Sequence, residues 1–128
     1  MKSLLTLLFG LFLSTSLLSK DIANDINGLW EDSTGNSFTN CHAIFSVKND
    51  SVFMTHYLEF NGTPFVEHGG GIISNDSLIY SVIVTKGIPG WSTAGVHRLK
   101  ISNKGNTLRG TYHDNKGNTG PIVFKRKK

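Results

Sequence analysis

Turn signals rich in Asn and Gly punctuate this chain at short, near-regular intervals, and they constrain its fold more than any other feature. They are Asp32-Ser33-Thr34-Gly35-Asn36, Lys48-Asn49-Asp50-Ser51, Asn61-Gly62, Ser74-Asn75-Asp76-Ser77, Asn103-Lys104-Gly105-Asn106 and Asp114-Asn115-Lys116-Gly117-Asn118. Asn and Gly tolerate the positive φ that tight hairpins require. No long stretch after residue 20 carries a 3.6-residue apolar period, so helices are not expected there.

The segments between the turns alternate in polarity. Gly28 to Glu31 opens the series. Cys41 to Lys48 puts Cys41, Ala43, Phe45 and Val47 on one face, and Val52 to Phe60 aligns Val52, Met54, His56, Leu58 and Phe60. Thr63 to Glu67 reads as a strand ended by Gly69-Gly70-Gly71, which would leave His68 in a mouth loop. Leu78 to Thr85 carries Leu78, Tyr80, Val82 and Val84 together. Val96 to Ser102 groups His97, Leu99 and Ile101, and Thr107 to His113 groups Leu108, Gly110 and Tyr112. Pro121 to Lys125 closes the series with Ile122 and Phe124. Short strands at this spacing predict an all-β fold, a small antiparallel meander barrel of about eight strands. Closure removes the exposed sheet edges, and Gly110 in mid-strand suits a barrel corner.

The barrel is expected to occupy 28–128 and to end in a basic tail. Before it, 1–19 reads as a secretory signal: Lys2 precedes the apolar run Leu4 to Leu13, and Ser14 to Ser19 is small or apolar. Residues 20–27 form a short lead-in. The apolar run falls below the roughly 20 residues of a bilayer span, so the mature chain is expected to lack an integral membrane span. A secreted or periplasmic location follows. Export permits disulfides, but Cys41 is the only cysteine and has no internal partner, so it reads as a small buried hydrophobe.

Charge decides little. Thirteen Lys and Arg face nine Asp and Glu, a net of +4, and the tail Lys125-Arg126-Lys127-Lys128 accounts for that excess. The tail reads as a solvated end, and export makes nucleic acid an unexpected partner.

Asn27-Gly28-Leu29-Trp30 resembles the Gly-x-Trp opening of lipocalins, and similar openings occur in avidin-like barrels. Leu108-Arg109-Gly110-Thr111-Tyr112, continuing through Gly117-Asn118 to Phe124-Lys125-Arg126, resembles the closing hairpin of such calycin-type barrels. The resemblance implies that Trp30 plugs one barrel end and that Arg126 packs over it. The chain is shorter than a typical lipocalin and shows no lipocalin C-terminal helix, so an avidin-like barrel fits its length better. The residues that grip biotin in avidins find no residue-by-residue match here.

Chemistry is sparse. His42, His56, His68, His97 and His113 form no compact ligand pair, so no metal and no cofactor is expected, although a Glu59, Glu67 and His68 cluster is a weaker alternative. No Gly-x-Ser-x-Gly elbow is present. Gly69-Gly70-Gly71 lacks the residues of a phosphate loop. Cys41 and His42 would face opposite sides of a strand. No residue is therefore assigned a catalytic role.

The segment Lys86 to Gly95 is longer than a simple hairpin and carries Ile88 and Trp91. It suits a loop over a barrel mouth, where Trp91 either contacts a ligand or only packs. Trp91, His56, His97, Tyr80 and Phe60 are the candidate ligand-binding residues, with Phe65 near them. The leading expectation is a noncatalytic binding protein holding a small, partly apolar or amphipathic molecule in the barrel. A structural or protein-interaction module of the cell envelope, with a filled core and a protein partner, is the alternative. An enzyme would require His56 or His97 to meet a carboxylate or metal inside a cavity.

Overall fold

The computed structural model describes residues 26–35 and 37–128. The expected signal, 1–19, and most of the lead-in lie outside the described residues. Eight strands follow in order: β1 (Gly28–Asp32), β2 (Thr39–Lys48), β3 (Ser51–Phe60), β4 (Thr63–Ser74), β5 (Ser77–Lys86), β6 (Ala94–Ser102), β7 (Thr107–Asp114) and β8 (Thr119–Arg126). Each pairs antiparallel with the next, and β1 pairs with β8 to close the barrel. The all-β meander expected from the turn spacing is the fold observed. Asn49, Asn61 and Asn75 sit in three of the hairpin turns with φ of 50 to 55°. No helix among the described residues is long and apolar enough to cross a membrane.

The alternation places most of the inward rows as read. Ala43, Phe45, Val52, Met54, Leu78, Tyr80, Val82, Leu99, Ile101, Leu108, Ile122 and Phe124 are all buried. Cys41, expected as a buried hydrophobe, is only half-buried near the start of β2, where its thiol donates to the Thr39 carbonyl. A second expectation fails. β4 does not end at Glu67 but runs on through Gly69, Gly70 and Gly71 to Ser74. The physical reason is close approach across the sheet. A Cβ on Gly69 would lie 2.0 Å from the Ser81 carbonyl oxygen, and one on Gly71 would lie 2.0 Å from that of Ile79. Glycine here is a strand residue that lets β4 and β5 bend tightly, not a terminator. His68 consequently sits in mid-strand on the outer face, where Thr55 Oγ1 and His68 Nδ1 lie 3.0 Å apart. Gly110 meets the same demand, since its Cβ would lie 1.8 Å from the Arg98 carbonyl oxygen.

One end of the barrel is sealed. Trp30 is fully buried, and its indole N–H donates to the Ile26 carbonyl at 2.9 Å. Phe45 meets Trp30, Tyr80 and Phe124 edge-on, with ring centroids 5.4 to 6.2 Å apart. Full burial of side chains this large is worth about 3 kcal/mol each. The Arg126 guanidinium lies 4.4 Å from the Trp30 ring centroid and donates to the carbonyls of Gly105 and Asn27. Trp30 and Arg126 thus occupy the places that the barrel resemblance implied for them.

Candidate functional site

The opposite end is open. It is framed by the β1–β2, β3–β4, β5–β6 and β7–β8 connections and leads into a cavity of about 740 Å³. The core is packed in the sealed half, and the cavity lies toward the other. Leu58, Phe65, Val82, Val84 and Ile122 line its apolar walls.

Its floor is polar, and register explains why. His56 on β3 is the direct cross-strand neighbour of Glu67 on β4, and Tyr80 on β5 is that of His97 on β6. All four project inward. Asp32, the last residue of β1, lies one inward position above Trp30 and joins them. His56 Nδ1 lies 3.0 Å from Glu67 Oε1, and His56 Nε2 lies 3.0 Å from Asp32 Oδ2. The second contact is an ion-pair approach that lacks the alignment of a full hydrogen bond. His97 Nδ1 lies 3.0 Å from the Tyr80 hydroxyl, and its Nε2 lies 3.6 Å from Glu67 Oε1.

Electrostatics fix the protonation of this network. Burial opposes a charge on His56, but the contacts with Asp32 and Glu67 outweigh it and push its pKa up to about 9. His56 is an imidazolium at neutral pH. Burial likewise works against Asp32, yet its contacts with His56 and Thr34 hold the carboxyl below its ordinary value. His97 goes the other way, because burial, helped by the positive His56, outweighs the pull of Glu67 and lowers its pKa. Burial, then Glu67 and Asp32, raise the Tyr80 phenol well above its usual value. The protonated phenol therefore donates to His97 Nδ1, which leaves the proton of the neutral imidazole on Nε2, facing Glu67.

No lone pair of either imidazole is free for the cavity. His56 carries protons on both nitrogens, and His97 spends its one lone pair on Tyr80. The open acceptor is Glu67 Oε2, which takes no hydrogen bond from the described residues, although Glu67 is only 7% exposed and lines the cavity. Among the described residues, no three His, Cys, Asp or Glu side chains converge to hold a metal ion. Glu59, Glu67 and His68 do not meet. Glu67 points inward, while Glu59 accepts from Tyr57 and Asn40 and His68 faces Thr55 outside.

The mouth is aromatic. Ile88-Pro89-Gly90-Trp91 forms a tight turn closed by the Trp91 N–H on the Ile88 carbonyl, with Gly90 at φ +85°, as a type II turn requires. The Trp91 ring packs against Phe60, Phe65 and Phe38 at centroid distances of 5.0, 5.6 and 5.9 Å. Asn115 pins this loop by exchanging hydrogen bonds with the Thr93 backbone N–H and hydroxyl, and Lys116 Nζ donates to the Gly90 carbonyl. Of the five residues singled out from the sequence, His56, His97 and Trp91 line the cavity. Tyr80 lies beneath it as the partner of His97, and Phe60 stands at the rim behind Trp91. Asp32 and Glu67 were not singled out as ligand-binding residues. Phe65 and Glu67 are two residues apart on β4 and both are buried, and an acidic residue in step with an aromatic one along a strand is the signal that marks it.

The closed eight-stranded antiparallel meander is consistent with the general calycin barrel class. No family model, curated protein or solved structure matches the chain.

Proposed function

We propose that this protein is an exported, noncatalytic binding protein that takes a small, partly apolar molecule into the open half of its barrel. The carrying observation is the 740 Å³ cavity, which lies within the range typical of small-molecule sites and combines apolar walls with a few convergent polar groups. A secreted or periplasmic location rests on the leader pattern of residues 1–19. The imidazole–carboxylate contact that an enzyme would need is present, but the absence of a free imidazole lone pair favours binding over proton transfer by histidine.

The test is titration of the purified protein with N-phenyl-1-naphthylamine, an apolar dye that brightens when desolvated. The expected result is saturable binding of one dye per chain. Val84→Trp, which fills the cavity from its wall, weakens binding at least tenfold. A dye signal that is absent, or indifferent to Val84→Trp, would reject the reading.

A second reading has its own observation. Leu29, Ile44, Phe53, Ile72 and Ile79 are 43 to 59% exposed on the outer faces of β1 to β5. Leu29 pairs directly with Ile44, and Ile72 with Ile79, which gives a band of two apolar pairs with Phe53 on the strand between them. Such a band suits contact with another protein.

A further inference from the structure

We propose that Glu67 anchors the positively charged head of the ligand, so that the cavity selects organic cations, protonated amines above all, that carry an apolar body. This rests on the cavity-binding reading and names its ligand class.

Three observations converge on it. First, the floor holds two acidic side chains, Asp32 and Glu67, against one imidazolium, His56, while His97 and Tyr80 are neutral. Acidic side chains thus outnumber the imidazolium at the bottom of the chamber, where a buried charge is costly unless paired. Second, the excess has an address. Glu67 Oε1 is shared between His56 and His97, and Oε2 is without a partner among the described residues on a side chain that is 90% buried and lines the cavity. Third, the path above Glu67 suits a cation with an apolar tail. Phe65 is the next inward residue of β4, about 7 Å nearer the mouth at two residues of strand rise. Its ring lies 5.6 Å from that of Trp91, tilted by 47°. Aromatic faces attract cations and also cover apolar chains. The one lysine of the lining, Lys116, lies at the rim with its ammonium held by the Gly90 carbonyl, and Asp114 stands beside it in the lining. An anionic head would meet Glu67 beside an imidazolium whose two ring nitrogens already face Asp32 and Glu67.

Three probes that share one body separate the head from the cavity. They are 4-phenylbutylamine, 4-phenylbutan-1-ol and 4-phenylbutyrate, each titrated into the purified protein at pH 7 by isothermal calorimetry. The amine is expected to bind at least tenfold more tightly than the alcohol, and the carboxylate more weakly than both. In Glu67→Gln the amine advantage shrinks to within twofold, while the alcohol keeps its affinity within threefold. Circular dichroism checks that this variant folds. Phe65→Leu keeps the carboxylate and weakens the amine more than the alcohol, which provides the same test should Glu67→Gln fail to fold. Equal affinities for amine and alcohol, or tightest binding of the carboxylate, overturn the cation assignment and leave the cavity reading standing. Binding by none of the three removes the cavity reading, and the assignment falls with it.

Discussion

The buried imidazolium makes a quantitative demand on stability. His56 titrates at about 9 in the folded chain and near 6.5 when unfolded. Between those values the folded state holds a proton that the unfolded state has released. Stability must then fall by about 1.4 kcal/mol for each unit of rising pH, or about 3 kcal/mol across the window. Below 6.5 this contribution is fully present, and above 9 it is gone. His97 and Asp32, with depressed folded values, contribute in the opposite sense: their share is present at higher pH and is lost as pH falls below their unfolded values. The protein should therefore be most stable near pH 6.5. Urea unfolding followed by tryptophan fluorescence at half-unit steps from pH 5 to 9.5 measures the profile. His56→Gln preserves a polar contact but cannot titrate, so its decline above pH 6.5 should vanish even though its overall stability is lower. A wild-type profile that is flat or rising between 6.5 and 9 would refute the reasoning, as would an unchanged slope in His56→Gln.

Two further predictions concern the scaffold. Gly71→Ala puts a methyl group where only 2.0 Å separates it from the Ile79 carbonyl oxygen, so it should cost about 3 kcal/mol or prevent folding, whereas Gly62→Ala, with open space at its turn, pays only for its positive φ and should cost about 1 kcal/mol in chemical denaturation. Arg126→Ala removes the cation over Trp30 and the hydrogen bonds to Gly105 and Asn27, and should cost about 2 kcal/mol by thermal melting, with Arg126→Lys recovering less than half because an ammonium lacks the planar fork.

The inward and outward faces were legible in the sequence because alternation is a local property that each strand displays by itself. Phe45, Val52, Tyr80, Leu99 and Phe124 needed no knowledge of their neighbours to be placed. The run Gly69-Gly70-Gly71 was misread because the same residue serves a turn through backbone freedom and a curved strand through the absence of a Cβ, and only the position of the Ser81 and Ile79 carbonyls distinguishes the two. The candidate site was legible in part. His56 and His97 could be put inside, but their pairings depend on register between strands. Asp32 looked like the first residue of a turn, and Glu67 joins His56 only once β3 and β4 are aligned. The protonation of the network lay further out of reach, since it depends on how much burial each group suffers and which charge it faces.

The Trp30–Arg126 closure gives the proposed binding a kinetic consequence. Among the described residues the chamber is sealed at its base and opens at the other end, through which arrival and departure of a ligand would take turns. A newcomer cannot push a resident out through the far side, so exchange has to wait for spontaneous release past Trp91. Dwell time of such a ligand would then be set by the loop that Asn115 and Lys116 clamp in place. Loosening that clamp should quicken entry and exit together and leave the equilibrium between them nearly untouched.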